Sequence, residues 1–224
     1  MIEAVIFDMD GVIIDSEPFW REAQLKVYKS LGLEMTEEMC AVTTGLGTYE
    51  AVLYWYKIMP WSGTESIKEV CDAIETEVSN IVKARGVPNI GILELIDRLK
   101  NANFKIGLAS SSPMHLINAV LDTLKIKHLF EVYHSSEFEE ACKPHPGVYL
   151  GAAKRLGVNP TKCLAVEDSI TGMKAGLAAG MYVAVLPNSM FLDNVEYNKA
   201  HLRLNSLHEL EVEKINNLKD FQRN

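Results

Sequence analysis

The segment "AVIFDMDG" (residues 4–11) joins a short apolar run to two aspartates, Asp8 and Asp10, and a glycine. An apolar run of this length is typical of a buried strand. Two like charges at the end of such a strand repel each other and cost stability. Either a group of opposite charge neutralises the two carboxylates, or their chemistry is required. The other strand ends of the chain bear on both interpretations.

Four further apolar runs predict buried strands, and helical patterns lie between them. The runs are residues 104–109, 130–134, 163–166 and 181–186. A helix is predicted over 113–124, with Ser112 as its start and Pro113 at its first helical position. Strands that alternate with helices indicate a parallel sheet covered on both faces, which is an α/β fold.

The stretch 16–85 interrupts this alternation. It holds no comparable strand run, but residues 67–82 repeat apolar side chains at helical spacing. The alternation resumes after "GVPNIG" (residues 86–91), whose glycines and proline are typical of a turn or hinge. We therefore predict a helical domain at 16–85, inserted into a core that is formed by 1–15 and 86–224.

Composition and charge narrow the possible partners. Of the 224 residues, 48% are hydrophobic and 23% are charged, as in an ordinary soluble globular protein. A formal net charge of -8 argues against nucleic acid or an anionic membrane as the partner. It does not exclude an anionic small molecule, because a local cation or metal overrides the global field.

The cysteines and the apolar runs indicate the compartment. The four cysteines show no CxxC spacing, which predicts reduced thiols rather than a zinc site or disulfides. No apolar run approaches the roughly 20 residues of a membrane span, and no signal peptide is visible. We expect a cytoplasmic protein.

Polar side chains follow four of the five predicted strands. In open parallel sheets ligands bind at the carboxyl ends of the strands. The residues found there are Asp8, Asp10, Ser110, Ser111, Ser112, Lys143, Glu167 and Asp168. We therefore expect these side chains to meet at one edge of the sheet.

These groups have complementary chemistry. Carboxylates hold a hard cation such as Mg²⁺, and serine hydroxyls with the N–H groups at the start of the 113–124 helix suit a phosphate oxygen. Lys143 adds a positive charge for an anion. Taken singly, Ser112 and Lys143 are better explained as a helix cap and a solvated loop residue, and among these groups only Asp8 and Asp10 favour chemistry. Taken jointly, they predict a phosphoryl-transfer site with a carboxylate nucleophile.

Four stretches together resemble the motifs of a known family. They are "DMDG" (8–11), "LASSSP" (108–113), "KPHPGVY" (143–149) and "VEDSITGMKAGLAAGM" (166–181). In this order they resemble the four motifs of the haloacid dehalogenase-like (HAD) hydrolases. The resemblance implies a Rossmann-like three-layer core with a parallel sheet and an inserted α-helical cap domain.

The same resemblance implies catalytic roles. Asp8 would be the nucleophile that forms an aspartyl-phosphate, and Asp10 would protonate the leaving oxygen and then deprotonate the hydrolytic water. Ser110 and Lys143 would hold the phosphoryl oxygens, with Ser111 beside them. Two neighbouring carboxylates separate their proton affinities, so that one stays ionised while the other carries a proton.

A magnesium ion is the cofactor that the resemblance implies. Its ligands would be the Asp8 carboxylate, the Asp10 backbone carbonyl and Asp168, with Glu167 nearby or coordinating. The metal and Lys143 would neutralise the phosphate, which otherwise repels a carboxylate nucleophile.

Within the family, three stretches resemble the phosphatases of 2-deoxyglucose 6-phosphate and hexitol phosphates. They are "DSEPFW" (15–20), "WYKIMPW" (55–61) and "SSSPMH" (110–115). The resemblance implies a phosphorylated sugar or sugar alcohol as substrate. We also expect a monomer or weak homodimer that binds neither nucleic acid nor membrane.

The predicted cap domain would decide which sugar is bound. Candidates for the floor under a sugar ring are Trp20, Trp55, Tyr56 and Trp61, since aromatic faces contact apolar C–H surfaces. The alternative is that Trp55 and Tyr56 fill the interior of the cap. Gly47 stands where hexitol phosphatases have an arginine, which leaves the identity of the sugar open.

Two other functions compete with this hypothesis. A β-phosphoglucomutase-like phosphosugar mutase shares the motifs, although such mutases have a histidine where Trp20 stands. A non-enzymatic phospho-acceptor module, similar to a response-regulator receiver, also combines acidic residues, a hydroxyl and a lysine. The helical insertion and the second aspartate, Asp10, argue against a receiver, which needs neither.

Overall fold

The sheet has the parallel α/β architecture that the alternating pattern predicts. The computed structural model describes residues 1–188 and 191–218, and in that part six parallel strands form one sheet. The strands are β1 (Ala4–Phe7), β2 (Lys105–Ser110), β3 (Val132–Ser135), β4 (Cys163–Glu167), β5 (Tyr182–Val185) and β6 (Leu202–Arg203). The predicted fold class is confirmed.

Strand order places the first strand at the centre of the sheet. The order is β3-β2-β1-β4-β5-β6, so the chain winds outward in both directions from the β1–β4 boundary. Phe7 pairs with Leu108 of β2 and with Val166 of β4. The residue after Phe7 therefore lies level with Ala109 and Glu167. Such a switch in strand order opens a crevice at the carboxyl ends of the strands.

Helices lie between the strands along the chain and after the last one. They are α1 (Glu17–Ser30), α2 (Glu37–Val42), α3 (Thr48–Ile58), α4 (Ile67–Arg85), α5 (Ile92–Asn101), α6 (Met114–Thr123), α7 (Gly147–Leu156), α8 (Ile170–Ala178) and α9 (Val212–Asn217). Val5 and Phe7 pack in the cluster that includes α5 and α6, whereas Ala4 and Ile6 pack against α7 and α8. Successive strand residues point to opposite faces, so β1 is buried on both sides in a three-layer core.

The segment predicted as the insertion holds α1 to α4. Helix α4 begins with a capping box, in which Ser66 and Glu69 each bond the backbone of the other. Its apolar stripe packs against α1 and α3, and its other contacts reach helix α6 of the core. The division into cap 16–85 and core 1–15 with 86–224 remains a prediction with which this element order agrees.

Two local features differ from the sequence-based expectation. Helix α6 begins at Met114, and Pro113 is its extended N-cap residue instead of its first helical residue. The hydroxyl of Ser112 does not cap this helix because it donates to Asp10. Strand β6 was not predicted, since a strand of two residues leaves no periodic pattern.

The structure bears on the predicted absence of disulfides and of membrane-spanning segments. Cys40, Cys71, Cys142 and Cys163 are all free cysteines. In residues 1–188 and 191–218, no helix combines the length and apolar character that crossing a bilayer requires.

Candidate active site

The strand ends meet at the floor of a cavity of about 470 Å³. Its walls include Asp8, Asp10, Ser110, Ser111, Lys143 and Asp168 from the strand-end loops, and Trp20 from α1. Glu167, the last residue of β4, is fully buried beside them. The structure thus brings together all the strand-end residues that the sequence singled out as a phosphoryl-transfer site.

Lys143 joins two buried carboxylates. Its Nζ lies 2.5 Å from Asp8 Oδ1 and 2.6 Å from Glu167 Oε1, and it donates to the carbonyl of Ala109 at 3.3 Å. The side chains of Lys143, Asp8 and Glu167 are only 6%, 9% and 0% exposed. Burial disfavours the ammonium charge, but the attraction of Asp8 and Glu167 outweighs it and raises the pKa of Lys143 above its usual value. The lysine is therefore held as a cation.

The negative charge of the buried carboxylates at the cavity floor exceeds the positive charge of Lys143. Oxygens of Asp8, Glu167 and Asp168 lie within 4.8 Å of one another. Burial raises the pKa of Asp8 to about 8. The charge of Lys143 opposes this rise, and the charge of Glu167 adds to it. Burial likewise raises the pKa of Asp168, with further contributions from Glu167 and Asp8. A hard divalent cation fits this cluster, because it would supply the missing positive charge to oxygen ligands.

Glu167 is saturated by donors of the protein. Its Oε1 accepts from Lys143 and, at 2.7 Å, from the hydroxyl of Tyr149. Its Oε2 accepts from the backbone N–H groups of Asp168 and Ser169, and from the Ser169 hydroxyl at 3.2 Å. This environment favours a role in positioning Lys143. Direct ligation of a metal by Glu167 stays a prediction.

The structure explains why a glycine, Gly11, follows the two aspartates. Its φ is +78°, in the left-handed region that side chains rarely adopt. A Cβ atom at this position would lie 2.2 Å from Asp168 Oδ2. Only glycine lets the β1 loop pass this close to the Asp168 carboxylate.

Four donors surround the carboxylate of Asp10. Its Oδ1 accepts from Ser16 at 2.5 Å and from Trp20 Nε1 at 3.0 Å. Its Oδ2 accepts from Ser112 at 2.8 Å and from Ser110 at 3.5 Å. Ser16 precedes α1 as its N-cap residue, yet its side chain makes no capping bond because the hydroxyl serves Asp10. The direction of the Asp10 side chain is therefore set by both α1 and the β2 loop.

The start of α6 is already occupied. The N–H of Ser112 donates to the Ser110 hydroxyl at 3.0 Å, and the N–H of Met114 donates to the Glu137 carboxylate. The expectation that these N–H groups receive a phosphate oxygen is therefore not supported by the geometry. Ser110 and Ser111 do line the cavity, and their role as phosphate ligands stays a prediction.

Two of the aromatic residues proposed for a sugar floor, Trp20 and Trp55, lie in different environments. Trp20 lines the cavity, whereas Trp55 is 5% exposed and is not among the described residues that line it. The Trp55 indole donates to Thr43 Oγ1 at 3.4 Å and packs edge-on against Tyr54. The structure thus places Trp55 in the interior of the helical insertion, which was the alternative left open for it.

Several contacts at the site could not be predicted from the sequence. Ser16 and Ser112 bond Asp10, and Tyr149 bonds Glu167, although no periodicity or spacing distinguishes these residues. The insertion also touches the core directly, since the Thr171 hydroxyl donates to the Gly45 carbonyl at 2.9 Å. Residues 43–47 thereby lie over the cavity.

Comparison with known proteins agrees with this geometry. The family model of haloacid dehalogenase-like hydrolases matches residues 2–180. Hexitol phosphatase B of Escherichia coli K12 is 38% identical over 210 residues, which cover 93% of this chain and 94% of that protein.

Two solved structures have the same fold. A β-phosphoglucomutase from Clostridium difficile superposes with a TM-score of 0.84 at 28% identity and covers 98% of both chains. CbbY from Rhodobacter sphaeroides, solved with phosphate, gives a TM-score of 0.86 at 24% identity and covers 96% of this chain and 100% of that one.

Proposed function

The chain belongs to the haloacid dehalogenase-like hydrolases and is a phosphoric monoester hydrolase, and we propose that it hydrolyses small sugar or sugar-alcohol phosphates with Mg²⁺. The reaction would pass through a phosphate ester on Asp8. The observation that carries this proposal is the buried Asp8 carboxylate at the cavity floor, with Lys143 at 2.5 Å and the hydrogen-bonded Asp10 beside it.

In the first step, an oxygen of Asp8 bonds to phosphorus and the bond from phosphorus to the sugar oxygen breaks. Lys143 and the hydroxyls of Ser110 and Ser111 hold the phosphoryl oxygens, while Asp10 gives its proton to the departing sugar oxygen. General acid help of this kind is worth about 10²–10⁴-fold in rate.

In the second step, water attacks the phosphorus and the bond from phosphorus to Asp8 breaks, which releases inorganic phosphate. Asp10, now ionised, accepts the proton of the attacking water. Ser16, Trp20 and Ser112 donate to its carboxylate and so hold it in the direction that both steps require.

Magnesium would be held by Asp8, Asp168 and the backbone carbonyl of Asp10, with Glu167 behind them. When bound, the ion supplies Lewis-acid polarisation and neutralises charge on the phosphoryl group. The excess of buried carboxylate over positive charge at the cavity floor supports this assignment.

The cavity supports a small phosphorylated carbohydrate as substrate. Its volume of about 470 Å³ is in the range for small-molecule sites. Hexitol phosphatase B, a relative that covers nearly the whole chain, has a sugar-alcohol phosphate substrate by its name. The loop 43–47 and α1 close over the site, which would exclude water that competes with the substrate.

A phosphosugar mutase is the second candidate, favoured by the superposition on β-phosphoglucomutase. A mutase holds a second phosphate away from the reacting one and so needs a cation there. Among the described cavity-lining residues, the cationic side chains are Lys143, which is engaged by Asp8 and Glu167, and Arg21. Gly47 contributes no charge. The charge of Arg21 acts on the neighbouring Glu17, and this neutralisation on the wall supports hydrolysis over transfer.

A phosphate-release assay with hexitol and hexose phosphates tests the proposal. We expect release from hexitol and hexose 6-phosphates with Mg²⁺, complete loss in EDTA, and recovery when Mg²⁺ is restored. Ca²⁺ should restore little, because its larger and looser coordination disturbs the alignment of Asp8 with phosphorus.

Glucose 1-phosphate separates the two candidates. Its conversion to glucose 6-phosphate without net phosphate release would establish the mutase and overturn the proposal. Undiminished activity in EDTA would overturn the metal assignment. The cytoplasmic location and the monomeric or weakly dimeric state remain predictions, which fractionation and light scattering would test.

A further inference from the structure

Helix α1 presents a polar stripe to the cavity beyond the residue that contacts Asp10. Glu17, Trp20, Arg21 and Gln24 all line the cavity. Their spacing of three, one and three residues puts them on one face of the helix. Glu17 and Arg21 attract each other, since the charge of Arg21 opposes the rise in the Glu17 pKa that burial causes. The stripe is therefore polar and carries no net charge.

Gln24 is the member of this stripe with an unmet hydrogen-bonding need. Its Oε1 is covered and has no hydrogen-bond partner, although the residue lines the cavity. The amide carries an acceptor at one end and two donors at the other, and rotation about its last side-chain bond presents either end to the cavity.

A second oxygen on α1 without a partner, the hydroxyl of Tyr28, shows why a position at the cavity is needed for ligand binding. The hydroxyl of Tyr28 also lacks a partner, but Tyr28 is fully buried in the apolar cluster of the insertion and does not line the cavity. A ligand cannot reach Tyr28. Gln24 combines an unsatisfied polar atom with a position on the wall of the substrate cavity.

The place of Gln24 along the helix defines which part of a substrate it meets. Trp20 contacts Asp10, the group proposed to protonate the leaving oxygen, at 3.0 Å. Gln24 follows Trp20 by one helical turn, which places it about 6 Å farther along the axis of α1. A substrate group at Gln24 is therefore separated from the ester oxygen by several carbon atoms.

We propose that Gln24 forms a hydrogen bond with a hydroxyl group several carbons away from the phosphate ester, so that the site selects long hydroxylated chains. This inference rests on the proposed sugar-phosphate activity and assigns to Gln24 the selection of substrates by the length of their carbon chain. A short ester such as glycerol 3-phosphate ends before it reaches Gln24. A hexitol phosphate fills this part of the cavity with hydroxyl groups.

The test compares sorbitol 6-phosphate with glycerol 3-phosphate as substrates of the wild type and of Gln24→Met. Methionine keeps the length of the side chain and removes the amide. A hydrogen bond between neutral groups changes affinity about three- to tenfold, so the ratio of kcat/KM for the long ester to that for the short one should fall by this factor. The change should lie in KM for sorbitol 6-phosphate.

Lys29→Met is the matched control. It introduces the same methionine on the same helix at an exposed position that is not among the described cavity-lining residues, and its ratio should equal that of the wild type. Circular dichroism melts establish that each variant folds. Gln24→Ala removes the same amide with less demand on packing and serves if the methionine variant unfolds.

An unchanged ratio in both Gln24 variants, or an equal fall for both esters, would overturn the inference and leave the proposed function intact. If the wild type releases phosphate from p-nitrophenyl phosphate but from no sugar or sugar-alcohol ester, the proposed function fails and this inference fails with it.

Discussion

The floor of the site and its α1 wall differ in the side chains that they present to the cavity. At the floor, Asp8, Lys143 and Glu167 are at most 9% exposed and their charges are bonded to one another. On the wall, Trp20 and Gln24 are partly exposed and use neutral N–H and amide groups.

This difference follows from what each region must do. Charges that take part in phosphoryl transfer act most strongly when they are buried and already oriented, because the local dielectric is low. A surface that recognises hydroxyl groups must stay accessible and gains little from net charge. The contrast predicts that floor variants fail in chemistry or folding, whereas wall variants lose activity only moderately.

The largest effect is expected for Asp8→Asn. Removing the nucleophile of a serine protease costs on the order of 10⁶-fold in kcat, and we expect a loss of similar order here. The variant should form no acid-labile phosphoenzyme. Lys143 keeps its bond to Glu167, so the variant should remain folded by circular dichroism. Phosphate release near the wild-type rate would show that Asp8 is not the nucleophile.

Asp10→Asn should slow turnover by about 10²–10⁴-fold, because asparagine neither donates nor accepts the proton that both steps transfer. The proposed metal contact is the backbone carbonyl, so the Mg²⁺ concentration that gives half-maximal activity should change little. A titration of residual activity with Mg²⁺ measures both quantities. A large rise in the Mg²⁺ requirement would instead assign the side chain to the metal.

Lys143→Met should lower the free energy of unfolding by about 3–5 kcal/mol, since it leaves buried carboxylates without their cation. Urea unfolding in EDTA measures this change. The control is Lys26→Met, because Lys26 pairs with Glu77 at 2.6 Å while its side chain is 65% exposed, and exposed ion pairs contribute little. Equal destabilisation by the two variants would contradict the contrast between buried and exposed charge.

Trp20→Phe should have the smallest effect. Phenylalanine keeps an aromatic face on the wall but removes the N–H that donates to Asp10, while Ser16 and Ser112 still hold the carboxylate. We expect kcat to fall about three- to tenfold, with the fall also present for p-nitrophenyl phosphate, which has no sugar to stack on the ring. A fall confined to sugar phosphates would assign Trp20 to substrate contact alone.

The strand pattern and the chemistry at the strand ends could be predicted because both depend on local sequence. An apolar run buried on both faces needs no partner to be recognised, and parallel strands bring their carboxyl ends to one edge in any strand order. Asp8, Ser110, Lys143 and Asp168 therefore met as expected. The short strand β6 and the true start of α6 at Met114 were missed because one has too few residues for a period and the other depends on which group Ser112 bonds.

By itself, the sequence determined the α/β class, the run of helices that follows the first strand and the identity of the charged groups at the floor. Tertiary structure alone decided that Trp20 meets Asp10 while Trp55 is buried, and that Lys143 and Tyr149 donate to Glu167. It also decided that Gln24 lines the cavity while its covered Oε1 has no partner. The physical reason is the range of the interactions. Burial of a strand and the character of a side chain are properties of neighbouring residues. The partner of a polar atom depends on which distant segments the fold brings within about 3 Å, as it does for Lys143 and Asp8, which are 135 positions apart along the chain.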